Sequence, residues 1–329
     1  MKNGFQIKQG THAMVLYNGK FQKASWDEVF KKKKTKIKNT SKDKIAGFVG
    51  DLANMESSYI FKEFFDRTLD TNNYDCRTSN YYTNINEREN YLFNSKINGI
   101  EESDLIFLIG SNPRFEATIL NARIRKSHVN NLTKILSLSD VGDLTYPYKT
   151  LDGKTKTLVD IFEGKSEITK DILNAKKPLI ILGESFFKLQ SADFLFNLIK
   201  NFLTNNKKID ESWNSLNKIS TDASTVGSLD LKIINEKGNI FENLKANNFE
   251  IIYLLGQDNL NFDKKNEFII YQGSHGDKGA EIADIILPGA AYTEQNGHFT
   301  NLEGKIQKAF KASYPPGEAK EDWQIINEL

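Results

Sequence analysis

Residues 105–109, LIFLI, form an unbroken apolar run that ends on Gly110 and Ser111. Five apolar residues are too few for a core helix. They suit a strand buried on both faces, as in a parallel sheet covered by helices. Asn112 then offers an N-cap and Pro113 suits a first helical position, so 103–127 predicts strand, tight turn and helix. A central strand of this kind commits the chain to an α/β architecture. On a helix running on from Pro113, Ala117, Leu120 and Ile124 share an apolar stripe, and Glu116 and Arg123, seven residues apart, lie nearly eclipsed beside it.

Arginine usage marks the same stretch. Of the 44 Lys and Arg residues only six are Arg, at 67, 77, 88, 114, 123 and 125, and three of these fall here. Guanidinium offers a planar bidentate fork that Lys cannot copy, so the Arg residues are candidates for buried pairs or anion contacts, with ordinary surface charge as the competing reading. Asn112, Arg114, Glu116 and Arg123 are therefore structural or interface candidates. Arg123 is expected partly buried beside Glu116, and Arg125 exposed.

Further elements follow from local pattern. Asn18 and Gly19 predict a hairpin turn, and Ser25 caps a helix from Trp26 with Glu28 at its third position. The run Lys31 to Lys34 is read as extending that helix into solvent. Strands are expected at 45–49, 135–138, 179–182, 251–255, 268–271 and 285–287. Helices are expected over 55–69, 157–162, 192–203, 209–219 and from 323. Residues 70–98 are polar and irregular, the mark of a functional or interface loop. The expected organisation is two Rossmann-like lobes with mostly parallel sheets, 1–150 and 151–329.

A formal net charge of +1 gives no global field for nucleic acid or anionic lipid, and no apolar run reaches the eighteen residues of a membrane span. The single cysteine, Cys76, excludes an internal disulfide framework and any iron–sulfur cluster held by this chain alone. Residues 1–12 have neither a secretory nor a transit-peptide character, so the protein works where it is made or its address has been removed. FLIGSN at 107–112 is echoed by YLLGQDN at 253–259. Two Gly-terminated strands leading to polar loops are what a nucleotide-binding sheet presents, yet neither loop carries GxGxxG or a Walker motif. His275, Asp277 and Glu281 can be drawn as a metal site, against which stands turn chemistry and capping.

GSNPRFEATILNARIRKS with DLTYPY, then YQGSHGDKGAEIADIILPGAAYTEQNGHFTNLEGKIQ with PPGEAKEDWQII, resemble the carboxyl-terminal molybdopterin-oxidoreductase-type domain of the large iron–sulfur (75 kDa) subunit of respiratory complex I. The resemblance runs from about Thr11 onward. It implies an α/β body related to formate dehydrogenases, non-catalytic and non-redox, placed in the peripheral arm on the matrix side of the mitochondrial inner membrane or at a bacterial cytoplasmic face. The family's cysteine-rich cluster domains are absent, so the chain is expected to be a split-gene product whose partners are the cluster-bearing part as a separate chain and other peripheral-arm and accessory subunits. No cofactor, nucleic acid or membrane span is expected. His275, Asp277 and Glu303 join the interface candidates on this resemblance, and Lys305 stands where the family usually has Arg. Cys76 lies near the loop that supplies the metal ligand in molybdenum enzymes. A structural thiol is the favoured reading and a ligand the competing one. The alternatives are an active molybdopterin enzyme of formate dehydrogenase type and a free nucleotide-binding module.

Overall fold

The computed structural model describes residues 9–236 and 239–328. In chain order the strands are β1 (Met14–Tyr17), β2 (Lys20–Lys23), β3 (Ile45–Val49), β4 (Tyr74–Asp75), β5 (Leu105–Ile109), β6 (Lys134–Ser137), β7 (Lys149–Thr150), β8 (Pro178–Leu182), β9 (Leu216–Lys218), β10 (Ile251–Leu255), β11 (Phe268–Gly273), β12 (Ile285–Pro288), β13 (Gly297–Thr300) and β14 (Ile306–Ala309). They form a seven-stranded sheet ordered β2-β1-β12-β11-β10-β3-β4, a five-stranded sheet ordered β7-β6-β5-β8-β9 and the hairpin β13-β14.

The chain divides into two compact units, but not at residue 150. One takes the residues through Asn80, Asp222–Thr300 and those from Ile306 on; the other takes Tyr81–Thr221 and Asn301–Lys305. The reason is strand pairing. β3 offers two edges, and only one is taken by β4. The other is taken in parallel by β10, which lies some 200 residues further on, so the chain leaves its first sheet, builds the second and returns.

Alternate residues explain why the strands are continuously apolar. In the first unit Ile45, Val49, Ile251, Tyr253 and Leu255 enter one core, and Ala46, Phe48, Ile252 and Leu254 enter another. In the second unit Leu105, Phe107, Ile109, Ile180 and Leu182 lie on one side, and Ile106, Leu108, Leu179 and Ile181 on the other. Each sheet is covered on both faces, as parallel sheets require.

Several expectations are corrected. Residues 209–219 are not a helix: the Asp210 carboxylate accepts from the Ser212 and Trp213 N–H groups, and the chain then enters β9. The helix after β5 is broken. Pro113–Glu116 is one turn, Ala117 leaves helical geometry at φ −155° and ψ 68°, and Thr118–Asn131 starts afresh. Glu116 and Arg123 therefore do not share a helix. Lys33 does not point to solvent. It is fully buried, with Nζ 3.9 Å from the centre of the Tyr253 ring and no hydrogen-bond partner among the described residues.

Candidate functional site

In a doubly wound sheet, ligands sit beyond the carboxyl ends of the two strands from which the chain departs in opposite directions. Each unit has one such point. In the second it lies between β5 and β8, since β6 flanks β5 on the other side. In the first it lies between β3 and β10, since β4 flanks β3.

At the second unit's switch point the two strand ends approach each other closely. Gly110 turns at φ 62°. Gly183 N–H donates to the Ile109 carbonyl at 3.0 Å, and a Cβ on Gly183 would lie 2.3 Å from the Gly110 oxygen. Ser185 Oγ donates to that oxygen at 2.6 Å. Asn112 behaves as its sequence position suggests: its side-chain oxygen accepts from Arg114 N–H, and its Nδ2 donates to the Val141 carbonyl. Glu116 folds back to accept the Asn112 N–H at 2.7 Å. Arg114 donates to both the carbonyl and the carboxylate of Asp143. These residues form one capping network, in which Glu116 Oε2, like the neighbouring Ser111 Oγ, is buried without a hydrogen-bond partner among the described residues.

Arg123 lies elsewhere. Its guanidinium meets Glu101 at 2.6 Å, with side chains 38% and 27% exposed, and Lys126 shares the same carboxylate. Arg125 is exposed and reaches only the Thr145 carbonyl at 3.3 Å.

The first unit repeats the arrangement. Gly256 turns at φ 58°, Gly50 N–H donates to the Leu255 carbonyl at 2.8 Å, and a Cβ on Gly50 would lie 1.8 Å from the Gly256 oxygen. Gln257 Nε2 donates to the Val49 carbonyl and Ser224 Oγ to that of Gly50. The polar rim is acidic. Burial, with Asp222 and Asp258 nearby, pushes the Asp51 carboxyl up to about 6, against a hydrogen bond from Asn259 that favours its charged form. Burial also raises Asp258, which accepts from Gly279 N–H and the Tyr271 hydroxyl.

His275 Nδ1 lies 2.9 Å from Ser274 Oγ. Asp277 precedes the short helix Lys278–Glu281 without capping it by its side chain. Among the described residues no three His, Cys, Asp or Glu side chains cluster to hold a metal ion, so the drawn site at His275, Asp277 and Glu281 is not assembled. Glu303, in the turn between β13 and β14, accepts the Ile97 N–H at 3.0 Å. Cys76 packs against the first unit's core, its N–H bonded to the Ile233 carbonyl.

What the sequence pattern did not single out is beside that cysteine. Asp75 and Arg77 are 0% and 5% exposed and pair through two guanidinium nitrogens. Arg77 also donates to the Asn235 carbonyl, and Asn235 N–H to Asp75. The scarcity of Arg is the only sequence signal for this anchor.

The fold and its two switch points define a doubly wound α/β protein. The molybdopterin oxidoreductase family model matches residues 8–329, and the chain belongs to that family. It is 35% identical to the NADH-ubiquinone oxidoreductase 75 kDa subunit of Reclinomonas americana, over 99% of this chain and 50% of the relative. It is 38% identical to an NADH-quinone oxidoreductase subunit of Rickettsia bellii, over 99% of this chain and 47% of the relative. The chain thus spans about half the length of these relatives. Among solved structures, a chain of the formyltransferase/hydrolase complex from Methylorubrum extorquens superposes with TM-score 0.63 at 12% identity, covering 96% of both chains. Acetylene hydratase from Pelobacter acetylenicus gives 0.52 at 12%, covering 98% of this chain and 61% of that one. These two likenesses concern the fold.

The family name implies a pterin cofactor, and the residues at the switch points do not fit one. In both units the glycine N–H groups at the strand ends, those of Gly50 and Gly183, are already bonded to the Leu255 and Ile109 carbonyls and are not free to meet a phosphate. In the first unit, an anionic group would in addition meet Asp51 and Asp258.

Proposed function

We propose that this chain is the structural, non-redox body of the large peripheral-arm subunit of respiratory complex I. In this reading it supports electron transfer from NADH to ubiquinone by packing against the cluster-bearing amino-terminal part of that subunit and against other peripheral-arm and accessory subunits. It is part of an enzyme only through that assembly. The observation that carries the reading is the similarity, over 99% of the chain, to the 75 kDa subunit of Reclinomonas americana and its Rickettsia bellii relative. Two features of the chain agree with it. A lone cysteine cannot hold a cluster by itself, and the Gly50 and Gly183 N–H groups at the strand ends are already bonded to backbone carbonyls. The location that follows is the matrix side of the mitochondrial inner membrane, or the corresponding cytoplasmic face in a bacterium. Among the described residues no helix is long and apolar enough to cross a membrane.

The test is native electrophoresis of source membranes with an NADH-oxidation stain, before and after depletion of the polypeptide that carries this sequence. Co-migration with a very large NADH-oxidising assembly that is lost on depletion is expected. Migration alone, with the assembly intact after depletion, refutes the proposal.

A further inference from the structure

The hairpin β13-β14 forms a sheet of its own, and among the described residues β14 pairs only with β13, which leaves its other edge unpaired. The register pairs Thr300 with Ile306 and His298 with Lys308, and Asn301 N–H bonds to the Lys305 carbonyl. In an antiparallel ladder, hydrogen-bonded pairs alternate with pairs whose N–H and C=O groups point outward. Counting from the bonded pair of 301 and 305, Ile306 and Lys308 turn theirs away from β13.

Natural proteins blunt such an edge by keeping it short, with lysines, proline, a bulge or a covering segment, or leave it as a template for another strand. This edge is four residues long and flanked by lysines, but it carries no proline and no bulge. Residues 305–308 are exposed, and so are the apolar side chains on and after the strand: Ile306 is 57% exposed, Phe310 72% and Tyr314 77%. The charge is of one sign. Lys305, Lys308 and Lys311 make no ion pair among the described residues, and no acidic residue occurs from 304 to 317. Lys308 and Lys311 rest instead over the Phe310 and Tyr314 rings, at 4.9 and 4.7 Å. The chain as a whole is almost neutral, so this is a local excess.

We propose that β14 is a docking edge for an extended, acidic segment of a partner protein. Main-chain bonds to Ile306 and Lys308 would add it as a third strand, apolar side chains would cover Ile306 and Phe310, and carboxylates would meet the three lysines. The Lys excess selects an acidic occupant over a second copy of this chain, whose own β14 is equally basic.

The test uses the full chain and a fluorescent eight-residue peptide that alternates Val and Glu, with a Val and Lys peptide as control. Anisotropy should show saturable binding of the acidic peptide, weakened by salt, and at least about tenfold weaker binding of the basic one. Two variants separate the contributions. Ile306→Pro removes an outward N–H without touching the ladder to β13, and edge strands tolerate proline there. The triple Lys305→Glu, Lys308→Glu, Lys311→Glu keeps the backbone and reverses the charge. Each should weaken the acidic peptide about tenfold or more at unchanged melting temperature, and the triple variant should invert the preference. Equal binding of both peptides, indifference to both variants, self-association through the same residues, or binding to phosphatidylglycerol vesicles in place of the peptide would each overturn the proposal.

Discussion

Arg77→Leu should be among the most damaging single substitutions in the first unit. The Asp75 carboxylate is fully buried and accepts from Arg77 Nε, Nη2 and N–H and from Asn235 N–H. Leucine removes the countercharge and strands the carboxylate, whereas the ring of Phe241, 5.5 Å from the guanidinium, cannot solvate it. Breaking one partner of a well-buried pair costs about 3–5 kcal/mol. For a unit of this size each kcal/mol lowers Tm by about 2–4 °C, which predicts a fall of about 10 °C. Arg123→Leu is the control. Its pair with Glu101 is 38% and 27% exposed, and Lys126 remains to hold Glu101, so the loss should stay within about 1 kcal/mol. Urea titrations and thermal melts of the two variants in the assembled protein decide the matter. Equal losses for Arg77→Leu and Arg123→Leu would refute the assignment of the buried anchor to residues 75 and 77.

Lys33→Met should stabilise the protein by about 1–3 kcal/mol at neutral pH, because it deletes an amine buried over Tyr253 without a hydrogen bond. Burial lowers the Lys33 pKa well below its ordinary value, so the unfolded chain binds more protons. Wild-type stability should therefore rise with pH below about 10.4, and the Met variant should lose that slope in pH-dependent urea unfolding. Asp51 has the opposite sign. Its carboxyl is raised to about 6 when folded, so its contribution is complete below about 3.9 and lost as pH rises through 6. Asp51→Asn should gain about 1 kcal/mol at pH 7 after allowance for solvent screening, with no gain at pH 4, as read by melts at the two values. Gly50→Ala and Gly183→Ala should each cost about 3 kcal/mol or more, since their methyl groups would strike the Gly256 and Gly110 carbonyl oxygens; wild-type melting of either would contradict the packing described.

The strands at 45–49, 105–109 and 251–255 are legible in the sequence because burial on both faces leaves an apolar run that needs no period to be recognised. Residues 209–219 mislead because β9 carries Asn217 in a buried position, where it accepts from Ser95 N–H and Oγ. A polar residue in a buried strand looks like the wet face of a helix. Ala117 hides the break after β5, since alanine is the best helix former and the cause is the non-local network around Asn112. Lys33 carries a readable signal: it sits at helical spacing from Val29, Phe30 and Ile37, all packed on the same core. The run of four lysines masks that position. Arg77 cannot be ranked above the other five arginines from sequence, because its partner Asn235 lies 158 residues away.

The same device packs the strand ends at both switch points. In each unit a positive-φ glycine, 256 or 110, brings its carbonyl against a glycine of the neighbouring strand end, 50 or 183, whose own N–H bonds back to the strand before the turn. A side chain on either adjoining glycine would require the two strand ends to separate, breaking that hydrogen bond and opening two close-packed backbones. The glycines therefore serve strand-to-strand approach, where related folds use such residues to let a phosphate near the backbone. With the strand ends committed to packing, the recognition proposed for this chain lies at a strand edge. That predicts a separation of effects. Substitutions at Gly50 or Gly183 should change stability, while Ile306→Pro and the lysine reversals should change partner binding at constant stability.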